Sequence, residues 1–450
     1  MKIQTGARRN PRTRNQTEEK RRTGHRSPHR AAGPHLHHSD RTHTLLTSAA
    51  NKAGAAIGSV PELVQAYKLI ADGNKLPDQR TRALAESEEA VVRGRLDRLR
   101  QATADKYIRA GQRASNISES IMAVLRSAST KKQTIRFEDP ESMRVTYEAV
   151  SQFVQRGAPV NLVLPIGGGK AANPLKTGES YLPDLSEHTS AIMLAAIADA
   201  IREIYTPGAH VFMVPDAGLH SDDLGMSATE HALHLRRFAQ DLVELGVDRQ
   251  VSMVDTLALL PDQWADEVTV RSAATRGQVA VDPIMADSVN AQVRSLQYSL
   301  NLRIMGWSYE DVVQAMMALA VPTTPDLRTA AKERALTILQ RTREVAARYV
   351  GTNHALRSLD LPSHVMAALT GDPSYVRLTV HAKPGEPRPS LFPSSSVARP
   401  GLLPMHGVGV WDWREDKVRA GATFHLEARM RGHVAVQDKY GRVLFYEPSA

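Results

Sequence analysis

Between Pro159 and Val254 the chain alternates short unbroken apolar runs with longer helical segments, and few folds accommodate that order. Pro159–Leu164 (PVNLVL) reads as a buried strand. Glu187–Tyr205 reads as a strongly apolar helix ending at Pro207-Gly208. His210–Val214 (HVFMV) is a second buried strand, Ala228–Leu245 a second helix stopped by Gly246, and Val251–Val254 a third strand. Strand–helix–strand–helix–strand with short connections predicts a parallel, right-handed βαβαβ unit, an α/β, Rossmann-like core.

The flanks divide the 450 residues further. Residues 1–45 form a tail, 46–130 a helical N-terminal region, 131–260 the α/β core, 261–370 a helical region and 371–450 a β-rich C-terminal part that completes the site. Pro61–Ala71 reads as a short helix with Ser59 as cap and Gly73 as stop. Thr81–Ser129 is helical in character, with Leu84, Val91, Val92, Leu96, Leu99, Tyr107 and Ile108 along a broken stripe. Tyr375–His381, Gly407–Trp413, Thr423–Leu426 and Val434–Tyr446 read as strands around a Pro/Ser-rich loop over Pro384–Pro400. They predict an antiparallel or mixed extension of the same sheet, or a small second lobe.

Charge separates the tail from the rest. The chain holds 57 basic and 48 acidic residues, of which 11 and 3 lie in residues 1–45, leaving 46 and 45 for the remainder. The tail carries Arg8, Arg9, Arg12, Arg14, Lys20, Arg21 and Arg22, with His25, His29, His35, His37 and His38 among Thr, Gly and Pro. Without apolar periodicity it cannot offset its chain entropy, which predicts disorder. Weak anion binding, metal binding through the histidines and a transit-type leader are the functional readings; a solvated extension is the plain one. The near-neutral remainder lacks a basic stripe and has few aromatics, which argues against a nucleic-acid partner and leaves binding through the basic tail as the alternative of that class. No apolar run reaches the length of a membrane span. The absence of cysteine removes disulfides, cysteine-ligated metals and thiol nucleophiles, and fits a cytoplasmic protein.

In open α/β sheets ligands bind at the carboxyl ends of the strands. The loop after the first strand is glycine-rich at Gly167–Gly169 and carries Lys170, Lys176, Asp184 and Glu187. Lysines and exposed backbone N–H groups suit an anion such as phosphate. It is not a P-loop: Ala171 follows the lysine, and the helix begins only near Glu187. The loop after the second strand carries Asp216, His220, Asp222 and Asp223, suited to general base work, to a hard cation, or simply to capping the next helix. Strand alternation puts Tyr375, Arg377, Thr379 and His381 on one face, where Arg377 and His381 could meet a phosphate or carboxylate or form a surface stripe. His406 stands at a strand start.

These segments, in this order, resemble the isocyanide (isonitrile) synthase family, related to pyoverdine and dityrosine biosynthesis proteins. The matching stretches are KAANPLKTG…LPDLSEH at Lys170–His188, IYTPGAHVFMVPD at Ile204–Asp216, SDDLGM at Ser221–Met226, VRLTVH at Val376–His381 and LPMHGVGV at Leu403–Val410. The resemblance spans roughly residues 145–415.

The resemblance implies a Rossmann-like fold that uses no nucleotide cofactor and no metal. It implies condensation of the amino group of an amino acid, usually tyrosine or tryptophan, with C2 of ribulose 5-phosphate, in natural-product biosynthesis. Lys170, Glu187, Asp216 and His381 are then the catalytic candidates. Lys176, Asp184, His220, Asp222, Arg377 and His406 are the substrate-binding ones. Substrates are small molecules, with a non-haem iron oxygenase as the pathway partner. The chain departs from the family where Gly167–Gly169 replace apolar or aromatic residues, where Ala217 follows Asp216, and where His220 replaces an aromatic. Those departures bear on the amino acid accepted, or mark a related condensation of an amino acid with a sugar phosphate.

Overall fold

A computed structural model describes residues 75–130, 140–259, parts of 266–271, 325–358 and 359–449, leaving aside 167–168, 174–175, 179, 216–225, 381–384, 394–401 and 413–417. The tail, the short helix predicted near Pro61 and most of 261–324 lie outside these residues.

In chain order the elements are β1 (Thr81–Ala83), α1 (Glu86–Gly111), α2 (Ile117–Ala128), α3 (Pro140–Arg156), β2 (Val160–Ile166), α4 (Leu185–Ile204), β3 (Ala209–Pro215), α5 (Ala228–Glu244), β4 (Val251–Met253), α6 (Thr256–Leu259), α7 (Pro325–Ser358), α8 (Leu361–Thr370), β5 (Val376–Arg377), β6 (Val408–Asp412), β7 (Arg419–Thr423), α9 (His425–Met430), β8 (Val434–Gln437) and β9 (Val443–Glu447). They form two sheets. One is all-parallel, ordered β4-β3-β2-β5; the other is mixed, ordered β1-β8-β9-β6-β7.

The unbroken apolar character of β2 and β3 has a direct cause. Leu162, Leu164, Val211 and Met213 face one layer with α4, while Val163 and Val214 face a second layer with Leu356, Leu361 and Val365 of α7 and α8. Both faces of the parallel sheet are covered, so neither can afford polar alternation.

α4 is apolar nearly all round because it is buried all round. It packs on β3 and β4 of the parallel sheet and on β6, β7 and β9 of the mixed sheet. Trp411, Ala420, Val436 and Phe445 of the mixed sheet join the same core as Leu162 and Ile197. The two sheets thus share one helix, and the N-terminus of that helix lies in the loop that follows β2.

The predicted βαβαβ order holds, with ends shifted by one or two residues. Four local readings do not, one of them Val434–Tyr446, which is the antiparallel pair β8 and β9 and not one strand. Thr81–Ala83 is a strand and not the start of a helix, because it pairs with Ala435–Gln437 more than 350 residues away. Tyr375–His381 contributes only Val376–Arg377, which join β2 as the edge of the parallel sheet; Thr379 N then turns away to Pro387 O at 2.9 Å. Thr423–Leu426 is not a strand: pairing with β6 ends at Thr423, and α9 starts at His425. Of the C-terminal strands, β5 extends the parallel sheet, while β6 to β9 form a mixed sheet with β1.

Candidate functional site

The first turn of α4 organises the loop after β2. Asp184 is the N-cap: its Oδ1 accepts from Ser186 N at 2.7 Å and from Ser186 Oγ at 2.6 Å, and Asp184 N donates to Glu187 Oε2 at 2.9 Å. This is a capping box, set by acids three residues apart before an apolar run. Gly409 N of β6 also donates to Asp184 Oδ2 at 3.2 Å, which ties the C-terminal segment to the helix start; Ser186 Oγ lies 3.3 Å from Pro404 O.

Lys170 closes the arrangement. Its Nζ lies 2.7 Å from Asp184 Oδ2 and 3.1 Å from Glu187 Oε2, and the side chain is 1% exposed. Burial alone would drive the ammonium group to deprotonate, but the two carboxylates outweigh it and hold Lys170 above its ordinary value. Burial likewise pushes against Asp184, yet Lys170 and the Ser186 donors keep it below the usual carboxylate range. Glu187 goes the other way. Burial, reinforced by the Asp184 charge, raises it to about 7 against the pull of Lys170. One acid of the box stays ionised while the other takes up a proton near neutrality, a division that suits acid–base work.

Lys176 sits beside this cluster in a tight turn. Asn173 and Gly178 bridge across it, Lys176 N donates to Asn173 O at 3.0 Å, and Thr177 Oγ1 donates to Ala171 O at 2.6 Å. Gly178 takes φ +69°, and a Cβ at that position would lie 3.2 Å from His425 Nδ1. His425 N donates to Lys176 O at 2.8 Å, docking the turn on α9. The Lys176 side chain is buried, with Nζ 3.4 Å from His406 Nδ1. Burial, and after it the Lys170 charge, push this amine down to about 7.

Five of the ten candidate residues therefore meet at the end of β2: Lys170, Asp184 and Glu187 in one hydrogen-bonded cluster, Lys176 and His406 against it. Arg377 is placed on β5 beside β2, where its Nε pairs with Glu386 Oε1 at 3.2 Å. Asp216, His220, Asp222 and His381 lie outside the described residues. Among the described residues, no group of three or more His, Cys, Asp or Glu side chains is arranged to hold a metal ion.

Sequence reasoning missed several buried histidines. His234 Nδ1 lies 2.8 Å from Tyr181 O, and burial lowers it to about 4. His425 Nδ1 lies 2.8 Å from the Tyr446 hydroxyl, and burial, then Arg429, lower it to about 4. His188 Nε2 meets Asp241 Oδ2 at 2.9 Å beside a 620 Å³ groove lined by Arg93, Leu185, Arg237 and Arg442. The i, i+3 spacing of His231 and His234 was a readable sign of a shared helix face; nothing local marks His425.

A stretch of 300 residues is 25% identical to an L-tyrosine isonitrile synthase of Pseudomonas aeruginosa, covering 63% of this chain and 78% of that protein. An L-tyrosine isonitrile synthase of Xenorhabdus nematophila is 28% identical over 109 residues, 24% of this chain and 32% of the relative. An L-tryptophan isonitrile synthase of Fischerella ambigua is 31% identical over 131 residues, 29% of this chain and 39% of the relative. These last two matches span 32% and 39% of the relatives' lengths. In fold, the chain resembles the crystal structure of the PvcA protein of Pseudomonas aeruginosa with a TM-score of 0.52 at 18% identity, over 74% of this chain and all of that one. The family model described as pyoverdine/dityrosine biosynthesis protein matches residues 150–421, which hold the parallel sheet, α4 and the whole Lys170 cluster, and the chain belongs to that family.

Proposed function

We propose that this protein is an isocyanide synthase. It condenses the amino group of an L-amino acid, tyrosine- or tryptophan-like, with C2 of ribulose 5-phosphate, and that carbon becomes the isocyanide carbon. The observation that carries the reading is the buried Lys170–Asp184–Glu187 cluster at the end of β2, with Lys176 and His406 against it. Kinship with proteins named isonitrile synthases supports the substrate class.

In this reading Glu187, titrating near 7, exchanges protons with the amine, and Lys170 fixes its position. Asp184 anchors both. Lys176, His406 and Arg377 meet the sugar phosphate, with His220 and Asp222 contributing to substrate binding. Asp216 and His381 supply the later proton transfers from the sugar carbons.

The test is direct. Purified protein is incubated with ribulose 5-phosphate and a panel of amino acids, and isocyanide is trapped with a tetrazine and read by mass. An isocyanide from at least one amino acid is expected. Consumption of both substrates with a product lacking the isocyanide would instead select a related condensation, the alternative favoured by the glycines at 167–169. No reaction with any amino acid would overturn the reading.

A further inference from the structure

We propose that Lys176 is a covalent catalyst: its amine forms an imine with the C2 carbonyl of the ketose phosphate and passes that carbon to the amino acid by transimination. This rests on the condensation reading above and assigns the step that activates the ketone.

The two lysines of the loop are placed for opposite tasks. Lys170 Nζ lies within 3.3 Å of three carboxylate oxygens, from Asp184 and Glu187, and is held as ammonium, without a lone pair to give. Lys176 is equally buried and lies close enough to Lys170 to feel its charge. A lysine desolvated beside a second cation becomes a neutral nucleophile near pH 7. The anchored Lys170 ammonium supplies that cation permanently, because its carboxylates keep it protonated.

Presentation is also built in. Lys176 is held through its backbone by His425 N on Lys176 O at 2.8 Å, beside the Asn173–Gly178 bridge and Thr177 Oγ1 on Ala171 O. His425 is in turn fixed by Tyr446, whose hydroxyl also accepts from Gln79 Nε2 at 3.1 Å. Such a chain of contacts limits the places the amine can occupy. His406 Nδ1, 3.4 Å from Nζ, is within reach to carry the proton that Nζ loses on attack.

The step balances. Nζ adds to C2, the carbonyl oxygen gains protons and leaves as water, and a protonated imine remains. The amine of the amino acid adds to the same carbon, and Nζ departs as free amine. No electron is gained or lost.

The test uses the full chain with ribulose 5-phosphate and sodium borohydride, which reduces an imine to a stable secondary amine. Peptide mass mapping is expected to find one reduced pentose phosphate on Lys176, and prior addition of the accepted amino acid is expected to diminish it. Lys176→Met, which keeps the length of the side chain without an amine, should lose the adduct and at least about 100-fold in rate, with its thermal midpoint near that of the wild type. Should Lys176→Met fail to fold, the wild-type adduct decides. Isocyanide production without an adduct at Lys176, or an adduct on Lys170 alone, overturns the proposal and leaves the condensation reading standing. An adduct on Lys176 with no isocyanide from any amino acid upholds the imine and overturns the synthase reading. Neither adduct nor product overturns both.

Discussion

Lys170→Met removes the ammonium group that Asp184 Oδ2 touches at 2.7 Å and Glu187 Oε2 at 3.1 Å, and puts an apolar chain of similar length in its place. Both carboxylates are almost wholly buried, so water cannot take over. Removing one partner of a buried ion pair costs about 3–5 kcal/mol, because the other charge is left uncompensated. At roughly 2–4 °C per kcal/mol for a large domain, the thermal midpoint should fall by about 10 °C. Asp184 keeps its Ser186 and Gly409 donors, so Glu187 bears most of the loss. Its folded value, already near 7, must rise further without Lys170, while the unfolded value stays near 4.5. A carboxyl raised in the fold favours the folded state below its unfolded value and loses that advantage as pH rises through the folded one. The deficit of Lys170→Met is therefore expected to be small at pH 5 and largest at pH 8. Urea denaturation followed by tryptophan fluorescence at both pH values measures it. The double variant Lys170→Met/Glu187→Gln should recover roughly 1–3 kcal/mol at pH 8, since a neutral amide needs no counter-charge. A Lys170→Met protein within about 1 kcal/mol of wild type at pH 8, or a deficit equal at both pH values, would refute a buried, charge-dependent cluster.

Four further outcomes are expected. His234 and His425 are held near 4, below an unfolded value near 6.5, so stability should be lost as pH falls from about 6.5 to 4; His234→Gln should flatten that limb in pH-dependent melts. Gly409→Ala brings a Cβ to 3.0 Å from Ser186 N and 3.3 Å from Asp184 Oδ1, and should cost about 1–3 kcal/mol by urea titration while lowering turnover. Gly178→Ala forces φ +69° on an alanine facing His425 Nδ1 at 3.2 Å, and should destabilise by at least about 1 kcal/mol. The rate of the condensation should rise with pH as Lys176 loses its proton near 7 and fall as Glu187 loses the proton it donates, giving a bell centred near neutrality in a pH–rate profile.

The parts of the fold that were legible are those written locally. The apolar runs at β2 and β3 and the apolar length of α4 stand in the sequence because each is buried on every side, and burial of that kind leaves a continuous signal. Strands short enough to depend on a distant partner left none. Thr81–Ala83 has no pattern of its own and exists as a strand because Ala435–Gln437 lies beside it. Val376–Arg377 was expected in a longer strand, and the edge of β2 decided how much of it stayed paired.

The site divides in the same way. The sequence by itself placed Lys170, Lys176, Asp184 and Glu187 on one loop between a strand end and a helix start, with Asp184 and Glu187 three residues apart. It could not say which of the two lysines would be neutralised by acids and which left beside a cation. That was decided by the tertiary structure, which turns Lys176 toward His406 and ties its backbone to His425, more than 200 residues on. The physical reason is that protonation follows desolvation and the charges within a few ångströms, and both are set by the packing of the mixed sheet over α4.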